Sequence, residues 1–353
     1  MPTLPTVAVV GATGITGTFT FDELLRRGMA PIAIGRNREK LLAFLKARKL
    51  PAERMRVADV HDAGALRDAL QGVDAVISTV APFSENGFAV AEAATDLGLA
   101  YTDCTGEAGF MMRLVHELDA RALETGATLC SGNGVAAFLG DIGIQWLTDR
   151  DPASSGAVIY EMQDYRPTWG TTRSYIGNIL PDGGPLIRDG QVHLERLGAF
   201  SMTVAGHHAI HGILPDAIVV SRYWPAHRFD GVFPASAWRG HLMRAASSAM
   251  ARPAVRDLVL RLPLERLTAY RPGRDRMSSV TVTAEVRLAN GELRRRSLSG
   301  NAIYPLTGAI LAATVQAMFR RDRRPAGMRA ASEMFASFEE AVYLSGVREV
   351  AAP

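Results

Sequence analysis

Three evenly spaced glycines, Gly11, Gly14 and Gly17, lie between the apolar run Thr6–Val10 and a helical pattern from Ile15 to Arg27. That placement suits phosphate binding. Glycines let backbone N–H groups approach a diphosphate without a Cβ in the way, and the start of the next helix adds partial positive charge. Thr13 and Ile15 complete the turn as candidate contacts. The second apolar run, 31–36, ends in Arg36-Asn37. A site built for NAD carries an acid near this point for the ribose 2′-hydroxyl. Arg36 is instead suited to grip a 2′-phosphate, with Asn37 beside it, so the expected cofactor is NADP(H). Asp59, after the third run, is either a partner for the adenine amino group or a helix N-cap. Ser78, Thr79, Val80 and Ala81 end the fourth run with small side chains, which let ribose and nicotinamide pass close to a sheet edge.

Reducing C=O or C=N requires a proton, and reducing a conjugated C=C requires polarisation of the carbonyl oxygen. The Tyr-x-x-x-Lys pair of short-chain dehydrogenases is excluded, because no tyrosine has a lysine four residues on and no lysine follows Lys49. Asp103 and Glu107 follow the fifth run, where sheets of this kind place ligands. Either carboxyl, raised in pKa by burial, would serve as proton donor. The alternative is structural, with Asp103 capping a helix and Glu107 bonding backbone. The stretch 169–174, WGTTRS, opens a short helix in which Gly170, Thr171 and Ser174 can hold a substrate oxygen and Arg173 a carboxylate or phosphate; ordinary capping is the alternative. His207 and His211 have the spacing of a metal pair on a helix. Gly206, Gly212 and Pro215 disfavour a helix there and no carboxylate lies in the run, so no metal is expected. His207 and His211 remain candidate proton donors beside Tyr165 and Tyr175.

These groups need a scaffold. Up to residue 133, short apolar β-rich runs alternate with helices of about three turns, the pattern of a parallel sheet covered on both faces. After that the rhythm changes. Residues 155–165 read as a strand, 170–180 as a short helix and 182–191 as turn-rich, and two alternating segments meet at Asn290-Gly291, a hairpin signal. The expected fold is α/β: a Rossmann-type doubly wound parallel sheet (1–133) with a second mixed or antiparallel α+β domain of few helices (134–304). The helical segment 305–353 is expected to return to the first.

The 353 residues suit two cores, and 48% hydrophobic with 21% charged residues excludes a disordered chain. Net charge is only +3, and the basic residues are nearly all scattered arginines, so no nucleic-acid partner is expected; the cluster at 320–324 reads as a solvated helix end. Cys104 and Cys130 have neither metal nor disulfide-framework spacing, which, with no export signal, gives a cytoplasmic expectation. The apolar stretch 304–319 is too short for a transmembrane segment and reads as a buried helix.

GATGITG, GRNREKL, the long run 78–107 and TWGTTRSYIGN together resemble the saccharopine dehydrogenase-like oxidoreductases, nearest their bacterial trans-acting enoyl reductase branch. The resemblance is dense over 6–133, recurs at 166–178 and is faint through 181–300. Tyr101, Asp103, Gly106 and Glu107 carry its most distinctive part. It implies an NADP-binding Rossmann domain joined to a mixed-sheet domain. The family's Cys-Gly-Phe-Asp and Pro-Ser-Asp pattern is here CSGNGVAAFLGD, which keeps Cys130 and Asp141 but loses the intervening aspartate, proline and serine. The family's substrate therefore does not carry over. The expected function is an NADPH-dependent reductase of a small or medium-sized C=O, C=N or C=C substrate in specialised metabolism. Two alternatives stay open: an enoyl reductase acting in trans on carrier-bound polyketide or lipid chains, and a non-catalytic NADP-binding sensor or partner subunit. A homodimer is expected by fold analogy alone.

Overall fold

The structure, a computed structural model, describes residues 4–148, 150–152, 154–262, 270, 275–320 and 324–352. Six strands, β1 (Thr6–Val10), β2 (Ala30–Gly35), β3 (Met55–Val57), β4 (Ala75–Ser78), β5 (Ala100–Asp103) and β6 (Thr128–Cys130), form the first sheet. Between them run helices α1 (Ile15–Arg26), α2 (Arg38–Lys46), α3 (Ala63–Ala69), α4 (Phe83–Asn86), α5 (Phe88–Asp96) and α6 (Ala108–Thr125). The spatial order is β3-β2-β1-β4-β5-β6, all parallel. Strand order reverses between β1 and β4, so the ligand crevice of a doubly wound sheet falls at their carboxyl ends.

The central strands are buried on both faces: Val7, Ala8 and Val9 of β1 are inaccessible, as are Ala75, Val76 and Ile77 of β4. That explains their unbroken apolar runs. Helix α1 buries Phe21 and Leu24 against them, and Phe21 meets Phe44 of α2 edge to face at 5.0 Å. Helix α6 stops at Gly126, whose φ of +78° turns the chain back into β6. A seventh parallel strand, Gly327–Met328, joins β6 from the far end of the chain.

The second sheet has nine strands. Eight are β7 (Ser155–Gln163), β8 (Gly184–Arg188), β9 (Gln191–Glu195), β10 (Ser201–Val204), β11 (His207–His211), β12 (Arg228–Pro234), β13 (Ser279–Arg287) and β14 (Leu293–Asn301). The ninth, Arg348–Val350, pairs with β14. Only β7 and β12 run parallel, so the sheet is mixed. The hairpin signal at Asn290-Gly291 is borne out, with Arg287 opposite Leu293 and Gly291 at φ +86°. Two helices join the sheets: α7 (Val135–Gln145) packs on β13 and β14, and Ile303–Met318 packs on α1, β5 and α7. Both are almost wholly buried. Among the described residues no helix is long and apolar enough to cross a membrane.

Several local expectations are corrected. The turn-rich stretch 182–191 is the hairpin β8–β9, made by two consecutive positive φ angles at Asp189 (49°) and Gly190 (76°). The histidine run, where Gly206, Gly212 and Pro215 disfavour a helix, is not one: it is strand β11, paired with β10 and β12. Helices Ala237–Met250 and Pro253–Leu260 stand where few helices were expected. The tail serves both sheets rather than the first alone. Of the basic cluster, 321–323 lie outside the described residues, whereas Arg320 pairs with Glu340 at 3.2 Å and Arg324 donates to the Gly98 carbonyl at 2.8 Å.

Candidate active site

The glycine turn is built by close approach. Gly11 is left-handed (φ +85°) and donates to the Ile34 carbonyl at 2.9 Å. A Cβ on Gly17 would lie 2.2 Å from the Gly11 carbonyl oxygen, so only glycine lets α1 start this near β1. At Gly14 a Cβ would meet only that same oxygen, at 3.2 Å, and the turn there is exposed. No side chain caps α1. The N–H groups of its first turn, Ile15 and Thr16 among them, have no partner within the helix and face the crevice. Thr79 closes the turn from β4, donating from Oγ1 to the Val10 carbonyl at 3.0 Å. An open glycine cradle with free backbone donors at a helix start fits a dinucleotide diphosphate.

Arg36 is exposed at the end of β2 and makes no ion pair with the described residues. Asn37 spends its side-chain oxygen on the Lys40 N–H at 2.8 Å, capping α2. Asp59 does not cap α3. Asp62 does, accepting from Ala65, while Asp59 accepts from the His61 N–H at 3.0 Å and lies half-buried. Ser78 is fully buried, and Val80 packs close over Gly11.

A cavity of about 700 Å³ opens beside the turn. One wall is the first sheet's carboxyl edge: Thr13–Thr16, Thr79, Ala81 and Cys104–Gly106, continued by Gly134–Ala137 at the start of α7. The other wall comes from the second sheet and its connections, mainly apolar: Met162, Trp169, Ile179, Leu214, Phe233 and Met243. Glycine turn and second sheet thus enclose one space.

The polar exception is a hydroxyl cluster around Tyr304, a buried residue at the start of Ile303–Met318. Its oxygen accepts from the Thr168 N–H at 2.8 Å and lies 3.2 Å from Thr171 Oγ1 and 3.5 Å from the Tyr165 hydroxyl. Thr168 Oγ1 caps helix Trp169–Ser174 and sits 3.0 Å from Thr171 Oγ1. If Thr168 donates to Thr171 and Thr171 to Tyr304, both lone pairs of Tyr304 are used and its proton is left for Tyr165 or for the cavity. Burial, with the Tyr304 oxygen beside it, pushes the Tyr165 pKa well up, so Tyr165 stays protonated. Nothing in the sequence around Tyr304 marks it. Its position depends on the left-handed Ala302 (φ 57°) and on the Ser278 hydroxyl accepting from Ile303 N–H at 3.0 Å.

Of the other predicted groups, Gly170, Thr171 and Ser174 line the cavity. Arg173 does not; it reaches out to Glu85 at 3.2 Å, both half exposed. Asp103 and Glu107 lie behind the lining. Asp103 accepts from Ser131 Oγ (2.7 Å), Thr105 N–H (2.9 Å) and Gly132 N–H (3.0 Å), tying the exits of β5 and β6 together. Burial outweighs these bonds and raises its pKa. Glu107 accepts from the N–H groups of Phe83 and Ser84 (2.8 Å each), from Ser84 Oγ and from Asn178 Nδ2 (3.0 Å). It fixes the loop after β4 to the wall carrying Tyr175 and Ile179. Tyr175 also lines the cavity. Cys104 lines it too, but burial and the Asp103 carboxylate push its thiol up to about 12, so it is no thiolate nucleophile.

His211 is inaccessible, sharing Nδ1 with Asp230 at 2.8 Å; His207 and His208 are exposed on the same strand. Among the described residues no cluster of His, Cys, Asp or Glu could hold a metal. Asp141 accepts from Ser332 N–H (2.8 Å) and Oγ (2.6 Å), and Asp216 accepts from the Tyr160 hydroxyl. Burial raises each of these carboxyls to about 7.

Fold and site together define an NAD(P)H-binding protein of the Rossmann type, and residues 11–102 match the family model described as NAD(P)H-binding. Curated proteins similar to part of this chain include saccharopine dehydrogenase-like oxidoreductases and trans-acting enoyl reductases. A probable mitochondrial saccharopine dehydrogenase-like oxidoreductase of Arabidopsis thaliana is 29% identical over 164 residues, 41% of this chain and 36% of that protein. A putative trans-acting enoyl reductase of Mycobacterium tuberculosis is 29% identical over 142 residues, 39% and 34% of the two chains. The match thus spans little more than a third of these curated relatives. Apo saccharopine dehydrogenase (L-Glu forming) from Saccharomyces cerevisiae shares the fold, with a TM-score of 0.60, 14% identity, and coverage of 98% of this chain and 100% of that one.

Proposed function

We propose that this protein is an NADPH-dependent reductase of an apolar, small or medium-sized substrate carrying a C=O, C=N or conjugated C=C bond. The observation that carries this reading is the single cavity shared by the glycine turn and an apolar wall, with the Tyr304 hydroxyl held inside it. Gly11–Gly17 and the first turn of α1 hold the diphosphate, Thr79 and Ala81 border the nicotinamide end, and Arg36, facing no protein carboxylate, holds the 2′-phosphate. Bound there, the reduced cofactor supplies hydride. Tyr304 donates its remaining proton to the substrate oxygen or nitrogen, and the Thr168–Thr171 hydroxyls orient it. Asp103 and Glu107 act as positioning residues, since neither lines the cavity and their carboxylates tie together Ser131, Thr105 and Gly132 in the one case and Phe83, Ser84 and Asn178 in the other. The two free cysteines suit a reducing cytoplasm.

Enoyl reduction of a carrier-bound chain is the second reading, favoured by the largely apolar wall and by the enoyl reductase relatives. Incubating the protein with NADPH and a panel of ketones, cyclic imines and enoyl thioesters separates the readings. Loss of absorbance at the cofactor's band with one class identifies the bond reduced. NADPH binding with no turnover across the panel would leave the sensor reading in its place.

A further inference from the structure

Two helices carry, on the side away from the cavity, apolar side chains that the described chain leaves largely exposed, with the Arg239 guanidinium 5.5 Å from the Trp238 ring. Trp238 is 64% exposed, Leu242 63%, Leu258 65% and Leu262 52%. Trp238 and Leu242 are four residues apart on helix Ala237–Met250 and so share one face. That helix buries the opposite side through Gly240, Ser247 and Met250, and its Met243 lines the cavity. Helix Pro253–Leu260 has no buried residue. It packs on its partner and on the turn Tyr175–Ile179 that walls the cavity. Interleaved with the apolar side chains are five arginines: Arg239, Arg244, Arg252 and Arg261, all exposed, and half-buried Arg256. The only carboxylate between 237 and 262 is Asp257.

We propose that this face docks on an anionic lipid surface. Trp238, Leu242 and Leu258 enter the boundary between headgroups and acyl chains, and the arginines meet the phosphates. Surface-lying helices of this kind combine an aromatic and leucines on one side with basic residues that extend their charge to the headgroups. A second copy of the chain would bring arginine-rich faces together, which like charge opposes. An acidic protein would match the arginines, but the exposed tryptophan and leucines set among them favour lipid, and vesicle binding separates the two. With Trp238 and Leu242 outside and Met243 inside, one helix separates this face from the cavity.

The test is sedimentation with vesicles of phosphatidylcholine alone or with about a third phosphatidylglycerol, together with tryptophan emission. The protein is expected to sediment with the anionic vesicles only and to release at high salt. Its emission is expected to shift to the blue in the wild type but not in Trp238→Phe. Trp238→Ser/Leu242→Ser is expected to lose binding at least about tenfold, and Arg239→Gln/Arg244→Gln comparably, with circular dichroism unchanged because all four side chains are exposed. Failure to sediment overturns the proposal, as does binding that the double variants leave intact. Sedimentation velocity of the protein alone showing a dimer that Trp238→Ser/Leu242→Ser dissolves would also overturn it, assigning the face to a second copy. Capture of an acidic protein through this face without vesicle binding would overturn it as well.

Discussion

Arg36 follows strand β2, beside the strand that carries the glycine turn, Tyr304 lines the cavity, and a single substitution tests each. Arg36→Ala is expected to weaken NADPH binding about ten- to hundredfold, the worth of one or two charge-assisted hydrogen bonds, and to leave NADH binding nearly unchanged. Fluorescence titration with both cofactors checks this, and a wild type preferring NADH would refute the 2′-phosphate role. Tyr304→Phe keeps the ring packed against Tyr270 at 5.4 Å but removes the hydroxyl, and with it both the proton source and the acceptor of the Thr168 N–H. It is expected to lower kcat about a hundredfold with NADPH affinity unchanged. An unaltered kcat would move the role to Tyr165 or Tyr175. Arg36 is readable from sequence because it is local to the end of a strand. Tyr304 is not, since the contacts that define it come from Thr168 and Thr171, more than 130 residues away.

At the scale of elements, the glycines of the turn separate folding from binding. Gly17→Ala forces a Cβ to 2.2 Å from a backbone oxygen, so α1 must shift, and a loss of about 1–3 kcal/mol in stability is expected along with NADPH binding. Gly14→Ala meets its nearest atom at 3.2 Å, so stability is expected to hold within about 1 kcal/mol while NADPH binding falls at least about tenfold. Urea unfolding and cofactor titration of both variants test the contrast. Equal losses of stability would show that the turn serves packing alone. The central strands of the first sheet were legible because burial on both faces leaves short apolar runs between helical patterns. The second sheet was legible mainly at Asn290-Gly291, where turn chemistry is local. Strand β11 was hidden because its pairing with β12 is decided by residues more than twenty positions away, whereas hairpin β8–β9 had a local signal in Asp189-Gly190 that Gly183, Gly184 and Pro185 obscured by making the whole stretch read as turn. Arg173 was legible as a helix-start residue, but Glu85 on another helix decides where it points.

Across the whole molecule, the junction between the sheets contains carboxyls that resist ionisation. Asp141 on α7 and Asp216 both titrate near 7, raised by burial above the ordinary value of 3.8. A carboxyl whose folded pKa is raised contributes its full stability below the unfolded value and loses it as pH rises through the folded one. Stability is therefore expected to fall as pH rises from the ordinary carboxylate range to about 7, and to level off above. Asp216→Asn is expected to flatten that fall, seen in urea midpoints at pH values on either side of the window. An unchanged slope would remove Asp216 from the account. The strand Gly327–Met328 also has a consequence for biosynthesis. When the first six strands leave the ribosome, the edge of β6 has no neighbour, and roughly two hundred more residues must be translated before one arrives. Nascent chains of intermediate length thus display a bare strand, and there the vectorial assembly of this protein most needs a chaperone.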